Sequence, residues 1–486
     1  MSKGIYHMRA VQLFKSNSFL LVALFFIPMA LCYHQYKIDD AYISFTYSKN
    51  LISGNGLTYN GMVVEGYSNF LWTVLIAPLI WMGFDPFVVS RIISLLCGTL
   101  ALFAAERVNK YLFPQMNFLQ SFLSLLVIAV SAPFTVWTMG GLETMFMSLW
   151  VILFIYYAIS SRPALAVVAC LLAALTRPEG IILFVIFIGY YVIFKREAVK
   201  SILPFGLCFL LTYGLFLLWR YTTYGYLLPN TAVVKLDPTM ENVEKALYWL
   251  ASYFQLRPLF TLLVCAGIVT VFTNKLYKNR EWSLFLSVVG GFFAFVIYSG
   301  PDWMPHFRYI VPVMLLFSPL AAAALHPTEK WLHGVSLGLS IGAVILEIAM
   351  AYFLYIPFGP ELGEYTDGLV RGGEWLREYT DAEDVIAVVD AGALAYYGDR
   401  QIIDIIGLNN ELIAHSPEQT DLDYVFGLKP KVIQLHVAFT ADGKITPPEL
   451  NDENYRVFYH SDFQKYYEPY WEGANDPYFP LFFIRN

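Results

Sequence analysis

The chain has 486 residues, of which 57% are hydrophobic and only 14% are charged, and its mean hydropathy is +0.54. Soluble domains average roughly 45–50% apolar and about 25% charged residues. The composition therefore excludes disordered, collagen-like and ordinary cytosolic proteins, and it predicts a polytopic membrane protein.

The net charge of −7 is the sum of two opposed parts. Residues 358–486 contain 23 acidic and 9 basic residues, a net charge of −14, whereas residues 1–357 carry +7. We therefore predict a transmembrane domain over 1–357 and a polar α/β domain over 358–486. An acidic balance without a basic stripe argues against nucleic acid as a partner. The five cysteines lie scattered in apolar segments without metal-ligand spacing, so we expect neither a disulfide framework nor a zinc site.

Membrane spans are predicted where apolar runs approach or exceed the roughly 17 residues that a crossing helix needs. These runs are 16–33, 87–105, 111–142, 144–161, 201–219, 258–274, 282–301, 309–325 and 331–355. The run 163–194 is interrupted by Arg177–Gly180, which predicts two short spans joined by a tight outward turn. The total is about eleven spans, with 69–83 interpreted as an interfacial or re-entrant helix.

The basic residues of short loops predict the orientation, because such residues favour the cytoplasmic side. Lys3, Arg9 and Lys15 precede the first span, so the N-terminus is predicted to be cytoplasmic. The first external loop then covers about residues 34–85. The domain over 358–486 is predicted to be extracytoplasmic.

On this topology, polar residues from six segments lie on the external side at the depth of the membrane surface. They are Asp39, Asp40, Glu65, Glu143, Arg177, Glu179, Asn230, Lys235, Asp302, His306 and Arg308. Independent placement would scatter them over both faces of the membrane. We therefore predict that they share one external polar site.

Two adjacent carboxylates lie near the start of the first external loop. At a membrane surface they are costly unless they form ion pairs, are hydrated or bind a cation. One carboxylate of the Asp39–Asp40 pair could accept the proton of an attacking hydroxyl while the other holds a metal or orients its neighbour. Alternatively, Asp40 caps a helix that begins at Ala41. The sequence leaves both interpretations open.

The external arginines and acids also have two interpretations each. Arg177 and Arg308 can hold a phosphate bidentately, or they can anchor the chain at the lipid headgroups. Glu143 is either a residue at a helix N-terminus or a site acid. We expect His306 to be a partner of Asp302. Glu347, inside the last apolar run, is either the buried partner of a basic residue or exposed to a cavity.

The last 129 residues have an α/β pattern. Strands are predicted at 385–389, 401–406 and 431–436. The first is followed by the turn Asp390–Ala393 and a helix over 394–397. Such a turn can bind an anion at the helix N-terminus, although a single glycine favours a purely structural turn. The domain either caps a cavity or binds an acceptor polymer.

Several motifs together resemble those of bacterial GT-C glycosyltransferases, in particular the terminal β-(1→2)-arabinofuranosyltransferase family. The motifs are residues 38–44, 54–60, 64–72, 141–144, 176–180, 229–231, 304–309 and 390–393. They cover most of the chain in order, which makes the set more specific than any one member.

The resemblance implies a glycosyltransferase of the bacterial cytoplasmic (inner) membrane. The donor would be a polyprenyl-phosphate sugar, with arabinofuranose or a related sugar, and the acceptor an envelope glycan or glycolipid. By analogy Asp40, with Asp39, is catalytic. The donor phosphate is assigned to Arg177, Arg308 and Lys235.

The other site residues would act as supporting acids or substrate contacts. These are Glu65, Glu143, Glu179, Asn230, Asp302 and His306. No cofactor is required, and a divalent cation at Asp39, Asp40 or Glu143 is left open. The alternative function is a transporter or flippase, but the polar set is one-sided and no internal repeat is visible.

Overall fold

The computed structural model describes residues 18–235, 239–326, 330–416, 422–439, 445–446, 453–470 and 476–486. Lys3, Arg9 and Lys15, on which the predicted cytoplasmic N-terminus rests, lie outside these ranges. The described residues form two compact units.

The first unit takes its residues from Met1–Tyr36, Ser90–Phe216 and Asp237–Gly359. The second takes them from Lys37–Val89, Leu217–Leu236 and Pro360–Asn486. The second unit thus combines the loop predicted to be external with the acidic C-terminal segment. The predicted division into 1–357 and 358–486 stays a prediction.

Helices dominate the chain as far as Tyr379. The α-helices are α1 Ser18–Leu31, α2 Asp40–Ile52, α3 Phe70–Trp81, α4 Pro86–Leu112, α5 Phe118–Ala129, α6 Ala132–Met139, α7 Thr144–Ile159, α8 Pro163–Thr176, α9 Ile181–Phe194, α10 Val199–Tyr224, α11 Asn230–Lys235, α12 Met240–Gln255, α13 Pro258–Thr273, α14 Arg280–Ser299, α15 Val311–Met314, α16 Phe317–Ala324, α17 Lys330–Met350 and α18 Gly359–Tyr379. Short 3₁₀ or π turns cover Pro178–Gly180, Arg196–Ala198, Leu276–Lys278, Arg308–Ile310, Ala351–Tyr355 and Ile356–Phe358.

Among the residues that the structure describes, four helical stretches are long and apolar enough to cross a bilayer. They are Pro86–Leu112, Arg196–Tyr224, Arg280–Ser299 and His333–Tyr379. Two bent pairs qualify if each is one span: α5 with α6, bent by 58°, and α12 with α13, bent by 97°. Shorter apolar helices add to these. This content fits a multi-pass membrane protein, as predicted, while the number of eleven spans stays a prediction.

Proline and local capping explain where the structure breaks apolar runs that were predicted as single spans. The run 111–142 is divided because Pro114 cannot continue α4 and because Asn117 starts α5 in a capping box with Gln120. Pro133 then lies in the first turn of α6. The run 309–325 is likewise divided into a 3₁₀ turn, α15 and α16.

The helix α12 was not predicted from the sequence. Its polar face interrupts the apolar run by which the other helices were predicted. The available signal was Thr239, which caps the first turn by accepting a hydrogen bond from the Asn242 N–H at 3.3 Å. The helix ends before Arg257-Pro258, where the chain turns sharply into α13.

The second unit contains a five-stranded sheet in the order β2-β1-β3-β7-β6. Its strands are β1 Val385–Val388, β2 Gln401–Asp404, β3 Val432–Gln434, β6 Tyr467–Pro469 and β7 Phe482–Arg485, and β4 Ala438–Phe439 pairs with β5 Ile445–Thr446. The first strand is parallel to both β2 and β3, whereas β7 is antiparallel to β3 and β6. The three predicted strands are confirmed as β1, β2 and β3.

Short helices accompany this sheet, and they pack with it around an apolar core. They are α19 Ala393–Gly398, α20 Glu411–Ala414, α21 Leu422–Gly427, α22 Glu453–Phe458 and α23 Ser461–Tyr466. Ala387, Ile403 and Ile433, one from each central strand, are fully buried in the core. The central strands are nearly continuous apolar runs whose successive residues are buried, as expected of parallel strands covered on both faces.

Tyrosines of the first loop join it to the sheet segments inside the second unit. The Tyr47 hydroxyl donates to the Val64 carbonyl at 2.9 Å and accepts from the Gly66 N–H at 2.8 Å. The Tyr59 hydroxyl donates to the Ala391 carbonyl at 2.5 Å. Both side chains are buried, so these bonds fix the conformation of the loop and its position against the turn after β1.

Candidate functional site

Asp39, at the start of the first loop, is held by backbone amides of the turn after β1. Its Oδ2 accepts from the Gly392 N–H at 2.9 Å and its Oδ1 from the Ala393 N–H at 2.8 Å. A Cβ at Gly392 would lie 2.1 Å from the Asp39 carbonyl oxygen, so this approach requires glycine. The turn at which the sequence allowed an anion is therefore occupied by a carboxyl group of the chain itself.

The surroundings of Asp39 favour its protonated form. Loss of hydration raises the pKa of this carboxyl to about 8, and the charges of Asp390 and Asp40 act in the same direction. The two backbone hydrogen bonds act against this rise. Asp39, Asp40 and Asp390 thus form a cluster of three carboxyl groups, which we call the carboxyl cluster.

Of the two interpretations of Asp40, the one that makes it the N-cap of α2 is wrong. Asp40 is the first residue of the helix, and the N-cap position belongs to Asp39, whose side chain makes no capping bond. The carboxylate of Asp39 is instead turned to the amides of Gly392 and Ala393.

A polar network at the ends of β1 and β3 adjoins the carboxyl cluster. One oxygen of Asp390, Oδ2, lies 2.6 Å from the Tyr365 hydroxyl, 2.7 Å from His436 Nε2 and 2.9 Å from Gln434 Nε2. The Tyr365 hydroxyl is also 2.9 Å from His436 Nε2. Neither Tyr365 nor His436 was identified from the sequence. The available signal was that Asp390 follows one predicted strand and His436 is the last residue of another, since the carboxyl ends of parallel strands meet at one edge.

Glu65 and Asn230 meet a buried arginine that the sequence analysis missed. Glu65 pairs with Arg220 at 2.9 Å, and its carbonyl accepts from the Asn230 N–H at 3.0 Å. Burial raises the pKa of Glu65 to about 7, against the opposing charge of Arg220. All three residues are buried, so Glu65 acts on Arg220 and is not an open acid. Lys235 ends the short helix α11 and is half-buried.

In the first unit, Arg177 occupies the predicted tight turn. A Cβ at Gly180 would lie 2.3 Å from the Ala173 carbonyl, so the turn is as close as predicted. The Arg177 guanidinium contacts Glu143 Oε1 at 2.5 Å and also pairs with Glu179. Both carboxylates are buried, and this ion pairing compensates for part of their desolvation.

Arg308 forms a second ion pair beside the first. Its Nε and Nη2 lie 2.8 and 3.0 Å from the two Asp302 oxygens, a bidentate arrangement. The Tyr309 ring joins the two pairs, since the guanidinium carbons of Arg177 and Arg308 lie 5.6 and 5.3 Å from its centroid. We call these residues, with Glu143 and Glu179, the arginine cluster. The two cations of this cluster are thus paired with three carboxylates.

The predicted partnership of His306 with Asp302 is wrong, because Asp302 is bonded to Arg308. The His306 ring instead packs against Tyr36 and Tyr355, at centroid distances of 5.5 and 5.0 Å. Burial and the Arg257 charge lower the pKa of His306 to about 4, so the ring is neutral near pH 7. His306 and Phe307 both have positive φ, at 60° and 55°, a strained backbone of the kind found at functional sites.

Glu347 is the buried partner of a basic residue, which confirms one of its two interpretations. Its Oε1 lies 3.4 Å from Arg257 Nε, and both side chains are buried. Arg257 was not identified from the sequence. The available signal was an isolated arginine directly before Pro258, at the start of an apolar helix.

The predicted site residues are thus gathered into identifiable groups. Glu143, Arg177, Glu179, Asp302 and Arg308 form the arginine cluster in the first unit, and Asp39 and Asp40 belong to the carboxyl cluster in the second. Glu65 and Asn230 meet around Arg220. That all the predicted residues share one site stays a prediction.

The described side chains do not fit a metal site of ordinary composition. Across the ranges that the structure describes, no group of three or more His, Cys, Asp or Glu residues is arranged to hold an ion. Asp39 is engaged by backbone amides and Glu143 by Arg177. A divalent cation therefore enters no step of the chemistry below.

The comparisons with known proteins identify the fold. Residues 363–481 match a family described as a domain of unknown function, DUF8728. No curated protein sequence matches the chain. The structure is similar to that of ArnT from Cupriavidus metallidurans bound to undecaprenyl phosphate, with a TM-score of 0.57 and 13% identity over 87% of this chain and 96% of that one.

Two further similar structures are archaeal. The oligosaccharyltransferase of Archaeoglobus fulgidus in its apo form has a TM-score of 0.58 and 12% identity, over 93% of this chain and 79% of that one. AglB from Archaeoglobus fulgidus, in complex with an inhibitory peptide and a dolichol-phosphate, has a TM-score of 0.56 and 11% identity, over 94% and 79%. The chain therefore has the GT-C fold, as predicted. The narrower resemblance to arabinofuranosyltransferases stays a prediction.

Proposed function

We propose that this protein is a glycosyltransferase that moves a sugar from a polyprenyl-phosphate donor to an envelope glycan or glycolipid on the external face of the bacterial cytoplasmic membrane. The observation that carries the proposal is the similarity to ArnT bound to undecaprenyl phosphate, which extends over 87% of this chain and 96% of ArnT. Arabinofuranose is the sugar that the sequence motifs favour.

In the proposed reaction Asp40 accepts the proton of an acceptor hydroxyl. The hydroxyl oxygen attacks the anomeric carbon of the donor sugar as the bond from that carbon to the phosphate oxygen breaks. The polyprenyl phosphate leaves with the electron pair of that bond. Arg177 and Arg308, with Lys235, are proposed to stabilise the charge that develops on the phosphate.

The arginine cluster leaves donors for a phosphate. A guanidinium has five N–H donors. The ion pairs of the described residues use Nε and Nη1 of Arg177 and Nε and Nη2 of Arg308. The other terminal nitrogen of each arginine can donate to a phosphate while the carboxylates fix the orientation of the planar guanidinium groups. In this proposal Glu143, Glu179 and Asp302 are positioning residues.

The proposal is tested by donor cleavage with the purified full chain in detergent. The donors are undecaprenyl-phosphate arabinofuranose, mannose and glucose, and the readout is release of undecaprenyl phosphate. We expect wild type to cleave at least one donor, and Asp40→Asn to lower the rate by roughly 10²–10⁴-fold, the usual contribution of a general base. The matched control is Asp381→Asn, which changes an exposed aspartate.

Two results would contradict the proposal. An Asp40→Asn protein with an unchanged rate removes Asp40 from the mechanism. A folded wild type that cleaves none of the three donors, while it transports undecaprenyl-phosphate sugar across a vesicle membrane, supports the flippase alternative.

A further inference from the structure

In the sheet of the second unit, the connections that follow two neighbouring parallel strands diverge. β1 and β3 are parallel neighbours. From β1 the chain continues to β2 on one side of this pair, whereas from β3 it continues to β6 and β7 on the other side. In sheets of this kind, ligands bind outside the carboxyl ends of two strands whose connections diverge. The carboxyl ends of β1 and β3 are thus a candidate ligand site.

This edge presents the polar network of Tyr365, Asp390, Gln434 and His436. Asp390 Oδ2 is close to three donors, at 2.6 to 2.9 Å. The side chain of His436 is 42% exposed and that of Asp390 is 14% exposed, so a ligand can reach both. Gln434 is buried, and its side-chain amide donates to Asp390 Oδ2 at 2.9 Å.

The charge at this edge selects the class of ligand. The backbone amides of Gly392 and Ala393, which would attract a phosphate, are already bonded to Asp39. The carboxyl cluster lies beside the network, and residues 358–486 have a net charge of −14. An anion would be repelled here. A hydroxyl can donate to a carboxylate and accept from an imidazole or a phenol, so it suits this group of side chains.

We propose that the carboxyl edge of β1 and β3 binds a neutral, hydroxyl-rich saccharide through Asp390, His436 and Tyr365. This inference rests on the proposed function, in which the saccharide is the acceptor. It assigns a role to the domain that matches DUF8728, which contains all three residues.

A competing polar cavity lies at the opposite edge of the sheet. Its volume is about 350 Å³, and Asn55, Asp399 and Gln401 are among the residues that line it. A saccharide could enter it by size, but it opens near the start of β2, which is the amino edge of the parallel strands. Asn55→Ala therefore tests this alternative.

The experiment measures saccharide binding to the full chain in detergent by saturation-transfer NMR. The probes are three neutral trisaccharides, of arabinofuranose, mannose and galactose, and the anionic trisaccharide of galacturonate. We expect at least one neutral probe to bind the wild type, and His436→Gln and Tyr365→Phe to raise its Kd by about tenfold, the value of one to two hydrogen bonds. Tyr459→Phe, at an exposed tyrosine of the same domain, is the matched control.

The inference is overturned if no neutral probe binds, if galacturonate binds as well as the neutral probes, or if Asn55→Ala weakens binding and His436→Gln does not. Donor cleavage separates this inference from the proposed function. If the wild type cleaves donor but binds saccharide independently of His436, the proposed function is supported and the saccharide site is contradicted. If binding depends on His436 but the protein cleaves no donor, the saccharide site is supported and the proposed function is contradicted.

Discussion

Asp39 and Gly392 meet across 353 positions of the sequence, with Asp39 Oδ2 2.9 Å from the Gly392 nitrogen. This contact places the carboxylate that precedes Asp40 on the turn that follows β1. The first loop and the C-terminal sheet segments accordingly belong to the same compact unit. In the proposed mechanism Asp39 therefore acts as a positioning residue, and Asp40 acts on the acceptor hydroxyl.

Gly392→Ala is expected to disrupt this contact. The new Cβ would lie 2.1 Å from the Asp39 carbonyl oxygen and 2.5 Å from its Oδ2, so the loop or the turn must move. Overpacking of this kind costs about 1–3 kcal/mol. We expect a lower Tm and slower donor cleavage. Gly427→Ala is the control, because a Cβ there meets no atom within 4 Å; equal effects of the two substitutions would contradict the prediction.

The protonation of Asp39 predicts a pH dependence of stability. Its pKa is raised from 3.8 to about 8, first by desolvation and then by the charge of Asp390. Between about pH 4 and pH 8 the folded protein therefore holds a proton that the unfolded chain has released. The free energy of unfolding falls as pH rises through this window, by at most about 1.4 kcal/mol per pH unit, and the loss ends above pH 8.

Asp39→Asn removes this titration. We expect the Tm of wild type to fall more steeply from pH 5 to pH 8 than the Tm of the variant. Asp381→Asn serves as the control, and its profile should follow that of wild type. Parallel profiles for wild type and Asp39→Asn would show that Asp39 is ionised throughout this range.

Local patterns predicted much of the fold. Uniformly apolar stretches indicated helices such as α7 and α14, and short, mainly apolar runs indicated β1, β2 and β3. These predictions succeeded because periodicity and turn residues depend on near neighbours. The break between α5 and α6 was missed because the apolar pattern continues through it.

The candidate site was harder to predict because its partners are distant in sequence. Asp39, Glu65 and Arg177 were identified as unusual polar residues, but Arg220 lies 155 positions from its partner Glu65. His436 is the last residue of a predicted strand, and the sequence pattern gives it no role. Only the pairing of β1 with β3 brings it to Asp390. A sequence pattern indicates which polar residues are costly to bury, but it does not indicate which partners compensate for that cost.

The bidentate pairing of Arg308 predicts that lysine cannot replace it. A lysine carries one compact ammonium group and cannot hold both Asp302 oxygens and a phosphate in fixed geometry. We expect Arg308→Lys and Arg177→Lys to raise the KM for the undecaprenyl-phosphate sugar by about tenfold or more. The measurement is the initial rate against donor concentration, with Tm as a check on folding.

Arg280→Lys is the matched control for these two variants. Arg280 pairs with Glu281 in the same unit, and its side chain is 51% exposed. Such a pair contributes little, so we expect an unchanged KM. If Arg177→Lys and Arg308→Lys also leave the KM unchanged, the arginine cluster does not contact the donor.

The pairing of Arg257 with Glu347 predicts a non-additive effect on stability. Arg257→Met alone leaves a buried carboxylate without its cation, which typically costs about 3–5 kcal/mol. Arg257→Met/Glu347→Leu replaces both charges by apolar groups, so we expect its Tm to exceed that of Arg257→Met. The control is Lys245→Met/Glu241→Leu, which removes an exposed pair in α12 and should change the Tm little. Additive losses at Arg257 and Glu347 would contradict the pairing, because independent residues do not compensate for each other.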